Sequence, residues 1–541
     1  MTSTRRESAA VHFAQLLRER AAADPGARAY AICRRGRWRS FSTGDLEAAS
    51  DGVAYQLADA GVRNGDRTLI LIPPGFELFA TVFAVMKLGA APVLLDPAAG
   101  LDSFQRCLED SAPEVMVSST LGHLFRCAHP SVFRSVQRTL SLGRFGGRRI
   151  NVKPVPSRGA FPIAWPPEHA PAAILFTSGS TGTPKGCRYS HAQFVALVGA
   201  LREGLQHAPG SADLSTFPIL GLFAPILGGT SVLPAMNFAR PSRADPAELL
   251  RAIDAFGCAS MFGSSELVER LCAHALSVGR VLPLECVMTA GAPPSPRLLR
   301  CVRGVAGDTG PRLLIPYGST ECLLVSVADS TSLPPPGPLG VCVGRPVAGH
   351  QVRIIPITDE PVLRWDQALA LPPGVVGEIT VKGPLVSSAY EGPRELTERA
   401  KILDGDSVVH RMGDLGALDD QGRLWLAGRK THRVSIPEGD VFPLVVESVV
   451  NLEPGVRRSA LVNVLGEPWL MLELEARTDP AEVAARVTKR LAETPFTRPV
   501  REVRIAKGPF PVDARHEVKI DRSALSAEQS DMETQRRRRA A

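Results

Sequence analysis

The residues with the clearest chemical potential stand together at 177–186, in the run TSGSTGTPKG. Gly179, Gly182 and Gly186 let the backbone turn and come close to a ligand, the hydroxyls of Thr177, Ser178, Ser180, Thr181 and Thr183 can donate to phosphoryl oxygens, and Lys185 adds a mobile point charge. Every part suits a polyphosphate. The flanks fit as well: 172–176 reads as a buried strand, and a helical pattern resumes at His191 with Phe194, Val195, Val198 and Leu201 on one face. Strand, loop, helix is how many phosphate sites are built. The common P-loop is excluded, because Pro184 stands where that motif needs glycine before its lysine. A flexible linker of the same composition would not sit between a strand and an amphipathic helix.

Other chemistry-bearing runs follow. YGSTE at 317–321 offers Glu321, whose carboxylate is a hard oxygen ligand. On its own this run reads equally well as a turn. TAGAPPS at 289–295, MGDLG around Asp414, GRK around Arg429 and PVDARHEVKIDR at 511–522, which holds Lys519, complete the set. With MKLGAAPVLLDP at 86–97, these runs resemble the adenylate-forming superfamily of acyl-CoA synthetases, peptide-synthetase adenylation domains and luciferases over nearly the whole chain. That resemblance implies ATP and Mg²⁺, with Tyr317 stacked on adenine beside Gly291, Ala292 and Pro293. It also implies Gly318, Ser319 and Thr320 along the nucleotide, Thr320 at the α-phosphate, and Glu321 with Thr181 on Mg²⁺. Asp414 would accept the ribose hydroxyls, Arg429 would reach ribose or phosphate at a hinge, and Lys519 would bridge acid and phosphate. A cation there stabilises the charge that develops as a carboxylate attacks the α-phosphorus.

Several runs depart from ordinary acyl-CoA ligases. The hinge reads GRKTHRV with Thr431, the next segment has Val445 in place of a first Glu, VVHRMGD occupies 408–414, and Asp513, Arg515 and His516 precede Lys519. Together with TFPILGLFAPILGGTSVLP at 216–234 and ARPSRADP at 239–246, they resemble the β-lactone synthetases of bacterial olefin biosynthesis. The implied reaction is adenylation of a β-hydroxy acid whose own hydroxyl then attacks the acyl-AMP. A tethered nucleophile needs no thiol tunnel. His516 is a candidate base and Arg515 a candidate partner of phosphate charge. Leu220, Leu222 and Phe223, with Gly318, are the expected acyl pocket, although plain core packing explains the leucine-rich stretch almost as well. The alternative reading is an acyl-CoA or acyl-carrier-protein ligase, and association with enzymes of the same pathway is a further expectation.

The elements that must position these residues read as an α/β protein. Helices are expected near 46–60, 77–88 and 104–108, and strands at 67–72, 91–95 and 115–118, which makes a right-handed βαβ pattern with parallel strands. Residues 140–168, rich in Gly, Arg and Pro, read as a surface excursion. After the prolines at 334–338 the pattern changes to short alternating strands, expected as a distorted β-barrel. The expected division is 1–428 for the adenylating domain of two parallel α/β subdomains and barrel, 429–525 for a small mobile α+β domain, and 526–541 for a basic, unstructured tail. A chain of 541 residues exceeds one core. The ten cysteines show no metal spacing, and the net charge of +7 is spread out apart from Arg536–Arg539, so an anionic substrate suits it better than nucleic acid. The longest apolar run, 76–86, is too short for a bilayer span, and a cytoplasmic location is expected.

Overall fold

The computed structural model describes residues 11–95, 100–167, 170–177, 184–205, 209–305, 310–366, 369–512 and 519–540. Its first layer is a seven-stranded sheet that runs, edge to edge, from Arg148–Arg149 through Arg138–Ser141, Val115–Ser118, Arg67–Leu71, Ala91–Leu94 and Ala173–Phe176 to Gly186–Tyr189. All neighbours are parallel except the last pair. The helix Phe76–Lys87 is buried on all sides, so its apolar residues need no polar face. Lys87, at its end, is also fully buried, and is neutralised by Glu47 at 2.8 Å and Asp51 at 2.7 Å. Both carboxylates lie on the helix Thr43–Asp59, whose start is fixed by a reciprocal cap between Ser42 and Asp45. Lys87 of the MKLGAAP run therefore holds the scaffold together.

A nine-stranded sheet forms the second layer, with parallel strands in its middle and antiparallel ones at both edges. Its strand Arg312–Ser319 contains Tyr317 and Gly318 and turns back at Thr320 and Glu321 into Cys322–Asp329. YGSTE is thus a hairpin end. A Cβ on Gly318 would lie 2.6 Å from the Leu323 carbonyl oxygen and 2.7 Å from that of Cys322, so only glycine fits. The β-rich part takes the form of a six-stranded antiparallel sheet built on Ser407–Leu418.

Beyond Arg429 the chain builds a separate core from Val434, Val446, Leu461, Leu470 and Val487. Strands Val456–Val464, Glu467–Leu474 and Glu502–Ile505 form its sheet, beside helices Pro443–Val450 and Pro480–Glu493. The tail expected without structure is instead helical from Arg522 to Ala540. Leu525 anchors it in the core against Ala460 and Val462, and Glu533 pairs with Arg537 one turn on, at 3.0 Å. The polar composition hid a helix held at one end. Among the described residues no helix is long and apolar enough to cross a membrane.

Candidate active site

The run at 177–186 spans the tip between two antiparallel strands. Strand Gly186–Tyr189 lies antiparallel to Ala173–Phe176, and helix His191–Leu205 starts only after Ser190. This corrects the strand–loop–helix expectation: a four-residue strand with Cys187 and Tyr189 buried is too short to show a period. The base of the tip is closed by the Lys185 amide donating to the Thr177 hydroxyl at 2.9 Å and the Thr177 amide donating to the Lys185 carbonyl at 3.0 Å. Ser178, Gly179, Ser180, Thr181, Gly182 and Thr183 lie outside the described residues, as do Arg515 and His516.

Lys185 faces a cavity of about 2020 Å³ that gathers most of the described residues of the expected site. Thr177, Gly291, Gly318, Ser319, Thr320, Glu321, Arg429 and Lys519 share its wall. Leu220, Leu222 and Phe223 line the same cavity from the apolar side, so the nucleotide and acyl expectations meet in one space. Leu222 and Phe223 are nevertheless core residues, buried elsewhere along their surface. The separation from residue 291 to residue 519 is bridged in space: a Cβ on Gly291 would stand 3.9 Å from the Lys519 Cε.

Four expected nucleotide contacts sit differently. Ala292 and Pro293 are not in the wall beside Gly291, and Tyr317 and Asp414 lie behind it. The Tyr317 hydroxyl donates to Asp414 at 2.8 Å, and the Arg429 Nε meets the other Asp414 oxygen at 3.1 Å. The aspartate beside Arg429 raises the guanidinium pKa, while burial and the same aspartate raise that of Tyr317. Both carboxylate oxygens are therefore engaged. Each oxygen keeps a further lone pair, so Asp414 can still accept from another donor while Arg429 and Tyr317 hold its orientation.

Around Glu321 the structure assembles residues that the sequence reading gave no role. Burial penalises the Glu321 anion, but the positive charge that His410 takes up only in acid and a 2.5 Å hydrogen bond from the Tyr390 hydroxyl hold its pKa down at about 2. His410 is itself driven to about 3, first by burial and then by the Lys401 charge. Its Nδ1 lies 3.1 Å from the Ala400 carbonyl, which can only accept, so Nδ1 carries the proton and Nε2 the lone pair. Lys401 is lowered to about 8 by burial and donates to Ser387. The Tyr390 ring lies 5.3 Å from the Lys185 amine, within cation–π range. VVHRMGD was visible as unusual wording, but no spacing rule connects His410 to Glu321 or Tyr390.

Tyr390→Phe should raise the Glu321 pKa toward its ordinary 4.5 by deleting a donor to the anion. A carboxylate depressed in the fold stabilises the protein above its unfolded pKa, and that contribution fades as pH falls through the folded value. The wild-type loss belongs between about 4.5 and about 2. In the variant, melting temperatures measured against pH should begin to fall at the same pH but lose less and level off at a higher pH; identical acid limbs would remove Tyr390 from this role.

Among the described residues no group of three or more His, Cys, Asp or Glu could enclose a metal ion. An ionised Glu321 in a cavity wall instead suits an ion that brings water and phosphate oxygens with it.

Comparison with known proteins agrees with this geometry. The AMP-binding enzyme family matches residues 17–391. The olefin β-lactone synthetase of Stenotrophomonas maltophilia is 40% identical over 501 residues, 89% of this chain and 90% of that protein. The olefin β-lactone synthetase of Xanthomonas campestris pv. campestris is 37% identical over 508 residues, 90% of each. In structure, the amide bond synthetase McbA of Marinactinospora thermotolerans superimposes with a TM-score of 0.78 at 24% identity, covering 95% of this chain and 99% of that one. ATP-bound MatB of Rhodopseudomonas palustris gives 0.76 at 22%, covering 96% and 100%. Those two likenesses speak for the fold. Family match and sequence identity over nine-tenths of the chain place it among the AMP-binding enzymes, within the olefin β-lactone synthetase family.

Proposed function

We propose that this chain activates a β-hydroxy carboxylic acid, of the 2-alkyl-3-hydroxy fatty acid type, with ATP and closes it to a β-lactone. The observation that carries the reading is the convergence of Lys185, Glu321 and Lys519 on a cavity whose other wall is apolar. Lys185 and the loop above it hold the triphosphate, and Lys519 guides the acid carboxylate toward the α-phosphorus. The carboxylate oxygen bonds to phosphorus as the bond to pyrophosphate breaks. Glu321 would hold Mg²⁺, with the Thr181 hydroxyl, and the ion would supply charge neutralisation on the phosphates. The β-hydroxyl oxygen then bonds to the carbonyl carbon, AMP leaves with the electron pair of the acyl–phosphate bond, and a base takes the hydroxyl proton. His516 is proposed as that base, with Arg515 beside the leaving phosphate. A four-membered ring closes without a second substrate, which is why no thiol entry is required. Gly428, with φ of +138°, starts the proposed hinge to the C-terminal domain at 429–525, and the reaction is assigned to the cytoplasm.

The test is incubation with ATP, Mg²⁺ and a β-hydroxy acid in the absence of CoA, followed by mass spectrometry. Equal amounts of AMP and β-lactone are expected. AMP release that depends on CoA, with a thioester as product, would overturn the cyclisation and leave an acyl-CoA ligase.

A further inference from the structure

Between Glu114 and Glu168 the chain carries eight Lys and Arg residues and no Asp or Glu. Two of them are neutralised from elsewhere, Arg138 by Asp66 at 3.3 Å and Arg158 by Asp59 at 2.6 Å. Arg134, Arg144, Arg148, Arg149 and Lys153 are exposed and form no ion pair among the described residues. The same segment also exposes apolar surface. In the helix Thr120–Ala128, Leu121 is 74% and Leu124 51% exposed, and the spacing puts them on one face with Phe125 and Ala128, away from buried His123. The following loop lies directly against this helix, since a Cβ on Gly143 would meet Thr120 and one on Gly146 would meet the His123 ring. That loop carries Phe145, 47% exposed, between Arg144 and Gly146. Leu121, Gly122 and Phe125 are also part of the wall of the large cavity, so the cavity reaches the surface at this helix.

We infer that this edge of the seven-stranded sheet rests on the surface of an anionic lipid bilayer, with Leu121, Leu124 and Phe145 in the headgroup–acyl boundary and Arg144, Arg148 and Arg149 on lipid phosphates. Apolar side chains ringed by unpaired cations are the composition of an interfacial contact. A nucleic acid would use the cations but leave three large apolar side chains in water. Placed this way, the cavity mouth opens toward the acyl layer, from which a sparingly soluble long-chain acid can enter without crossing water. That delivery step rests on the cavity being the acyl site, as proposed above; the lipid contact does not.

Sedimentation of the full chain with phosphatidylcholine vesicles, with and without phosphatidylglycerol, tests the contact. Binding is expected to the anionic vesicles, to weaken with added salt, and to fall about tenfold or more in Arg144→Glu/Arg149→Glu and likewise in Leu124→Ser/Phe145→Ser. Both pairs should keep the wild-type thermal midpoint and the turnover of a short, water-soluble β-hydroxy acid. Leu124→Trp adds a reading independent of those variants, because its fluorescence should shift to the blue on anionic vesicles. Equal binding to neutral vesicles, unchanged binding in both pairs, an unshifted tryptophan, or a preference for duplex DNA over vesicles would each overturn the inference. A failure here with CoA-free lactone formation intact would leave the proposed reaction standing.

Discussion

Lys519→Ala should lower the rate of pyrophosphate release from ATP and a β-hydroxy acid about 10²–10³-fold. The amine stands in the cavity wall beside Gly291, facing the space shared with Lys185 and Glu321. Negative charge on the α-phosphate grows as the carboxylate approaches, and a cation fixed there acts when that charge appears. Deleting it therefore raises the barrier of the first half-reaction. Closure of the lactone ring draws on a different nucleophile and a different leaving bond. Supplied with a synthetic acyl adenylate, the variant should still produce lactone at near the wild-type rate. Pyrophosphate release at an unchanged rate would remove Lys519 from the chemistry; loss of both half-reactions would make it a structural lysine.

The largest expected loss of stability comes from Glu378→Ala, about 3–5 kcal/mol, read from the midpoint of urea unfolding. Glu378 and Arg411 are both buried, and one carboxylate oxygen receives the Arg411 guanidinium at 2.5 Å and the Lys430 amine at 3.4 Å. Arg411 also donates to the carbonyls of Thr358 at 2.6 Å and Glu360 at 2.8 Å. These acceptors satisfy its protons without cancelling its charge. Removing the carboxylate leaves a buried guanidinium without a counter-ion, whereas Glu378→Gln keeps an acceptor and should cost less. Equal midpoints for the alanine variant and the wild type would mean that Arg411 is compensated without Glu378.

What could be read in advance follows a physical boundary. Helix Phe76–Lys87 and strand Val115–Ser118 announce themselves because their residues are apolar almost throughout and are bounded by polar or helix-breaking residues. The loop at 177–186, Glu321 and Lys519 could be singled out because dense glycine, hydroxyl and cationic chemistry has few structural uses, and the resemblance tied them together; the structure brings Thr177, Lys185, Glu321 and Lys519 to one cavity wall. Strand Gly186–Tyr189 was missed because glycine and arginine interrupt its apolar character, whereas the equally short Val115–Ser118 is apolar through its first three residues. The helix through Arg536–Arg539 was missed because tertiary anchoring at Leu525, rather than composition, sustains it. Tyr390, Lys401 and His410 gather around Glu321 through strand pairings across the sheets, and distance in the chain conceals that. The mutual engagement of Tyr317, Asp414 and Arg429 is equally a product of three-dimensional neighbourhood.

The strand after the phosphate loop also reaches sideways. The Arg188 amide donates to the Ala389 carbonyl, and the Glu391 amide donates to the Gly186 carbonyl at 2.7 Å. Lys185 and Tyr390 are consequently mounted on one seam, and the Thr177–Lys185 bonds shut the loop before any nucleotide arrives. The entropy of bringing the two ends of that loop together thus belongs to folding and not to nucleotide capture. The neck of the proposed phosphate loop is thus set by the fold itself, on the seam that also carries Tyr390.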